Sequence, residues 1–244
     1  PEMASVDAGA TVQIPQKQLK EMISRVVFAI ATDESRQILT GCLLEVTAKE
    51  ARLVALDGFR LAIQKVVKDF ELPAGVETLK AVIPGRVLNE LSKILADEDE
   101  FCSLLIDKTR MQAKFGNTKL STVLLAGEYI NYRQILPTAW LTRVTVKRRE
   151  LQDAIERASL MAKEGKNNLI RMKASQNNLR ITSMSELGDV LEELDAQLEG
   201  EDIEIAFNAR YLSDVIRNVD EECCTLCMNT NVSPCVISPL DGDS

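Results

Sequence analysis

Arg86–Lys93, RVLNELSK, and Arg210–Arg217, RYLSDVIR, stand 124 positions apart, and the organisation of the whole chain follows from their likeness. Each opens and closes on a basic residue, and Val87, Leu88 and Leu91 in the first match Tyr211, Leu212 and Val215 in the second. That spacing is helical, with the apolar residues on one side. In the first copy the helix is expected from about Arg86 to Leu95, with Val87, Leu88, Leu91, Ile94 and Leu95 facing a core and Arg86, Asn89 and Lys93 facing away.

Working outward, a second correspondence appears at a different offset. Leu151, Ala154, Ile155 and Ala158 fall 132 positions after Leu19, Met22, Ile23 and Val26, and Arg157 likewise follows Arg25. The earlier stretch predicts a helix opened by Pro15, with an apolar stripe running through Val27 to Ile30 and with Lys17, Lys20 and Ser24 on its other side. A short strand at Val12–Ile14 precedes it. Strand patterns follow at Leu39–Val46, Leu79–Ile83, Phe101–Ile106, Arg110–Phe115 and Lys119–Leu125. In the later half they recur from Val144 and at Leu169–Ala174, Asn178–Ser183, Asp189–Leu194 and Ile203–Phe207. An internal repeat on this scale marks a duplicated domain. The expected fold class is α+β, two tandem domains, each two βαβββ units with two helices on one face of the sheets. Residues 1–10 are expected to be a linker or an artificial end, 11–126 the first domain, 127–141 the connection and 142–244 the second domain.

Ala51–Ile63, ARLVALDGFRLAI, reads as a β-hairpin. Two apolar runs flank Asp57-Gly58, a dipeptide whose residues accept positive φ and so favour a two-residue turn. The plain reading is a structural hairpin. The sharper one is that Phe59, Arg60 and Leu61 leave the turn beside a concave surface that receives another protein.

Composition narrows the chemistry. The 244 residues carry a net charge of −8, are 45% hydrophobic and only 4% aromatic, and contain six cysteines and no histidine. Without imidazole there is no Ser-His or Cys-His nucleophile pair and no histidine-ligated metal. The cysteines, at 42, 102, 223, 224, 227 and 235, lie largely in apolar strand-like runs, as small buried residues do. Cys224 and Cys227 have C-x-x-C spacing, but three residues apart on a strand they point to opposite faces, poor geometry for one metal. No signal peptide and no apolar run near the ~20 residues of a membrane span is present. A cytoplasmic protein without cofactor, metal or membrane is expected. An acidic chain is also no general nucleic-acid binder, yet the repeated basic edge of the second helix could attract a phosphate backbone locally. For any single helix the alternative is an ordinary solvated face.

Several separated segments carry a family resemblance. Leu39-Thr40-Gly41, LVALDGFRLA at Leu53–Ala62, VIPGRVLNEL at Val82–Leu91, GEYINYRQILP at Gly127–Pro137 and IAFNARYLSDVI at Ile205–Ile216 together resemble the bacterial DNA polymerase III β sliding clamp, in the order of its middle and C-terminal domains. The resemblance implies a non-catalytic processivity factor: protomers paired head to tail into a ring around duplex DNA, helices lining the hole, strands forming the outer wall. It implies contact with double-stranded DNA without sequence preference, and with polymerase and clamp-loader subunits through short linear motifs. It also implies that the family's first domain and a final apolar strand after Ser244 are absent here.

Carried onto this chain, the resemblance places Leu39, Leu56, Gly58, Phe59, Arg60, Leu61, Pro137 and Pro234 at a partner-peptide groove, with Phe59 where the family commonly has histidine. It places Lys17, Lys20, Arg36, Arg86, Lys93, Arg149, Arg210 and Arg217 toward DNA, Arg36 beside the Gln37-Ile38 loop. Two other classes remain. An enzyme is disfavoured because no paired-carboxylate motif, glycine-rich phosphate loop or nucleophile elbow stands out. A DNA-independent peptide-binding scaffold of the same fold is the alternative.

Overall fold

A computed structural model describes residues 9–163, 168–186 and 188–240, and the chain divides into two compact units, 1–130 and 131–244. The first runs β1 (Ala10–Pro15), α1 (Gln16–Ser24), β2 (Gly41–Val46), β3 (Glu50–Leu56), β4 (Leu61–Val67), then β5 (Leu79–Pro84), α2 (Gly85–Ile94), β6 (Phe101–Ile106), β7 (Arg110–Phe115) and β8 (Thr118–Val123). This is βαβββ twice. The two halves exchange their leading strands: the sheets are β1-β6-β7-β8 and β4-β3-β2-β5, all antiparallel. Neither half therefore completes a sheet without the other.

Alternation drives the packing. In β2, Cys42, Leu44 and Val46 face the helices, and in β6, Cys102, Leu104 and Ile106 do the same from the other sheet. They join Leu19, Met22, Ile23 and Val26 after β1, and Leu88, Leu91 and Leu95 near α2, in one core. The opposite face of β4-β3-β2-β5 is also dry at Leu43, Val54, Leu56 and Val82.

The second unit runs β9 (Thr142–Lys147), α3 (Arg148–Ala162), β10 (Leu169–Ser175), β11 (Asn178–Ser185), β12 (Gly188–Gly200), β13 (Ile203–Asn208), α4 (Ala209–Arg217), β14 (Cys223–Met228) and β15 (Val236–Pro239). Its strands form one sheet, β13-β10-β11-β12-β9-β14-β15. The long β12 makes it continuous: Gly188–Asp195 pair with β11, and Ala196–Gly200 then pair with β9. Leu151, Ala154, Ile155 and Ala158 are all fully buried, as are or nearly are their counterparts Leu19, Met22, Ile23 and Val26.

Four expectations are corrected. The first helix ends at Ser24 and a 3₁₀ turn at Val27–Ala29 follows, so that Ala29 is fully buried while Val27 and Ile30 pack against the core partly buried. The strand expected from Leu39 begins at Gly41, because Glu34–Thr40 form 3₁₀ turns broken at Arg36. Ile94 is 46% exposed, since α2 ends there and the chain turns Leu95 inward instead. The hairpin closes with Asp57 N–H donating to Arg60 O at 3.2 Å, so its tip is Gly58-Phe59, one residue later than expected. The expectations for residues 1–8 and for the chain end at 241–244 lie outside the described residues.

Candidate functional site

The hairpin tip is set by one carboxylate. Asp57 accepts from Phe59 N–H at 2.8 Å, Arg60 N–H at 3.0 Å and Arg60 Nε at 3.1 Å, an Asx-type turn with Gly58 at φ +97°. Arg60 is thereby drawn inward, and its guanidinium lies 5.4 Å from the centre of the Phe28 ring. Phe59, left at the tip, is 80% exposed. Leu56 and Leu39 are buried and Leu61 is half-buried, so beneath the tip lies an apolar floor. Nothing would meet a side chain at Gly58. A backbone can approach there.

Tyr129 holds this floor in place. Its hydroxyl accepts from Leu56 N–H at 3.2 Å and donates to Gly41 O at 3.4 Å, while Leu125 N–H donates to Val82 O at 2.9 Å. The segment after β8 is thus tied to β5, to the start of β2 and to the end of β3. Burial pushes the Tyr129 phenol up, so it stays a neutral donor. The sequence alone does not show this role, although Tyr129 lies in the Gly127–Pro137 stretch singled out above. Of the eight groove residues, the six from Leu39 to Leu61 lie together in the first unit. Pro137 and Pro234 sit on loops of the second, half-buried and exposed respectively.

The basic candidates show a regularity that the sequence alone concealed. Lys17, Arg86, Arg149 and Arg210 are each the second residue of their helix, α1 to α4, and each is exposed. Among the described residues none of the four is in an ion pair. A cation in the first turn opposes the helix dipole by about 0.3–1 kcal/mol. Stability does not account for finding one at the same place four times. Lys20 is half-exposed on the next turn of α1, and Arg36 is exposed at the break in the 3₁₀ turns. Lys93 and Arg217, by contrast, are engaged: Lys93 with Glu90 and Arg217 with Glu156, each at 2.8 Å. Across α1, α2 and α4 basic residues outnumber acidic by one per helix, and in α3 they balance, in a chain of net charge −8.

Four of the thiols are held protonated by burial. Burial pushes Cys42, Cys102 and Cys235 up to about 12 and Cys224 to about 11, so they remain protonated at neutral pH. Cys224 packs in the second unit's core, whereas Cys227 lies outside that cluster.

Comparison with known proteins is consistent along the chain. Residues 13–131 match the family model of the DNA polymerase III beta subunit, central domain, and residues 133–244 that of its C-terminal domain. The chain belongs to the DNA polymerase III beta subunit family. The beta sliding clamp of Bacillus subtilis is 36% identical over 220 residues, 89% of this chain and 57% of that protein. That of Staphylococcus aureus is 31% identical over the full chain and 64% of its own length. The crystal structure of the Bacillus subtilis DNA polymerase sliding clamp superposes with a TM-score of 0.93 at 33% identity, covering all of this chain and 64% of that one. The Thermotoga maritima beta subunit gives 0.92 at 29% identity, covering 99% of this chain and 65% of that one. The chain therefore spans somewhat less than two thirds of the length of these beta subunits. Their central and C-terminal domain models meet at 131–133, beside the division between the two compact units.

Proposed function

We propose that this chain supplies the middle and C-terminal domains of a sliding clamp, a non-catalytic processivity factor that encircles duplex DNA and tethers polymerases through the Phe59 hairpin. The observation that carries this reading is the set of second-position cations, Lys17, Arg86, Arg149 and Arg210, held against the helix dipole in an acidic protein. Phosphate contacts of this kind position a protein without reading bases, and few of them permit sliding. Lys20, Arg36, Lys93 and Arg217 belong to the same DNA-facing set.

The edge of β12 supports ring closure. Residues 188–195 are hydrogen-bonded to β11 on one side, and among the described residues no strand pairs with the other. An open edge accepts a strand from another protomer, as a head-to-tail homodimer requires. In a protomer of the relatives' full length, retention on circular but not linear duplex is expected. Equal loss from both would refute the ring.

For the groove, the buried floor of Leu39 and Leu56, the open approach at Gly58, the half-buried Leu61 and the exposed Phe59 suit a peptide with apolar anchors. Phe59→Ala should weaken binding of a polymerase-tail peptide by tenfold or more, on the order of 1–2 kcal/mol for an aromatic anchor. Arg60→Ala should weaken it as well, since Arg60 fixes the tip through Asp57. Unchanged peptide affinity in both variants would show that the hairpin is not the site.

A further inference from the structure

We propose that Glu90 and Glu156 attenuate the grip of the helix faces on DNA by occupying Lys93 and Arg217. The inference rests on the DNA-facing reading of these helices. In each domain the second helix carries two cations seven residues apart, Arg86 and Lys93 on α2, Arg210 and Arg217 on α4. Seven residues are two helical turns, so each pair shares a side of its rod. In both copies the first cation stands without an ion pair among the described residues and the second is held by a carboxylate. The carboxylates come from different places. Glu90 is on α2 itself, three residues before Lys93, at 2.8 Å. Glu156 is on α3 and reaches across to Arg217 on α4, also at 2.8 Å. A duplicated domain has thus arrived at the same neutralised cation by two routes.

The second route is the more built. Arg148 donates to Gln152 Oε1 at 2.8 Å and Gln152 donates to Glu156 Oε1 at 3.2 Å, so a chain of side chains runs along α3 to the carboxylate that meets Arg217. The Arg217 hydrogen bond is the first cause holding the Glu156 carboxyl below its ordinary value. Both carboxylates lie within the basic faces: Glu90 one turn after Arg86, Glu156 two turns after Arg149. A phosphate approaching Lys93 or Arg217 must displace a carboxylate that is already there and repels it. Exposed pairs like these are weak, so the cations are discounted rather than removed. A ring that retains DNA by topology gains from such discounting, because each undiscounted contact slows sliding.

The test is the salt dependence of binding to a linear duplex, read by fluorescence anisotropy over a range of NaCl concentrations. Neutralising one phosphate on duplex DNA contributes about 0.9 to the slope of log K against log salt. Glu90→Gln and Glu156→Gln should each tighten binding at low salt and steepen the slope by up to about 0.9. Arg217→Gln placed on Glu156→Gln should abolish that gain. Glu77→Gln, on the exposed loop before β5, changes net charge equally and should leave the slope unchanged. Thermal unfolding of each variant reports that the fold is kept. Slopes equal to the unsubstituted chain's in both Glu variants, or an equal gain in Glu77→Gln, would overturn the attenuation while leaving the DNA-facing reading intact. No salt-sensitive binding by the unsubstituted chain would overturn that reading, and the attenuation with it.

Discussion

Tyr129 and Asp57 do more to shape the hairpin surface than the residues that face outward from it. Tyr129 satisfies a strand-end amide, Leu56 N–H, and the carbonyl of Gly41 with one hydroxyl. Tyr129→Phe keeps the ring and strands both groups, and a buried unsatisfied donor costs roughly 1–3 kcal/mol. The expected outcome is a lower urea midpoint with an unchanged m-value, and peptide binding at the hairpin weakened because the floor beneath it loosens. A midpoint equal to that of the unsubstituted protein would place the strut elsewhere. At this scale the sequence was legible where chemistry is local. Asp57-Gly58 announced a turn, but an aspartate can either occupy the tip or brace it from one residue before. Here the three hydrogen bonds it accepts put it in the bracing role, and Phe59 takes the tip.

Helix starts are legible in the sequence and the end of α1 is not, for a physical reason. The starts follow strands that terminate at Pro15, Pro84, Lys147 and Asn208, and Asn208 caps α4 by accepting from Arg210 N–H and Tyr211 N–H. At the end of α1 the apolar spacing continues past Ser24, because a 3₁₀ turn can present Val26 and Ala29 to the same core that an α-turn would serve. Local spacing cannot separate the two. Nor could it show that β1 joins β6 and β5 joins β2, since pairing at that distance leaves no local mark.

The elements also set how stability should respond to pH. Arg157 holds Glu192 of β12 through two hydrogen bonds of 2.8 Å, the first cause keeping the Glu192 carboxyl below its ordinary 4.5. A depressed folded value means that this stabilisation is present above pH 4.5 and is lost as pH falls through the lower folded value. Buried thiols act at the other end. Cys42 sits near 9 when exposed and about 12 in β2, so its contribution is complete below pH 9 and declines as pH rises toward 12. Urea midpoints measured across pH should therefore fall at both ends of a plateau. Glu192→Gln should reduce only the acid loss, and Cys42→Val should reduce only the alkaline loss. A midpoint independent of pH between 3 and 5 in the unsubstituted protein would rule out the first of these contributions.

At the scale of the molecule, sign and placement of charge matter more than any one contact. On the DNA-facing reading, an acidic protein repels DNA on average, so binding comes from the few cations outside any ion pair, and among the described residues Lys17, Arg86, Arg149 and Arg210 are the clearest of these. The duplication was legible in the sequence and led to two of them, Arg86 and Arg210. That all four share the second helical position was not, because their helices begin at sites fixed by strand ends and not by a common motif. Replacing all four with glutamine should reduce the salt slope for a linear duplex by roughly 3–4, at about 0.9 per lost phosphate contact, and equally for duplexes of unrelated sequence. The same change removes four cations from the wrong end of the helix dipole, so the thermal midpoint should hold or rise slightly as DNA binding falls. Lys80→Gln on β5 serves as the contrast: its ammonium lies 3.3 Å from Glu45 on the strand side of the first unit, and its loss should leave the slope unaltered. A slope that responds to Lys80 as strongly as to one of the four helix cations would mean that DNA is not confined to the helices.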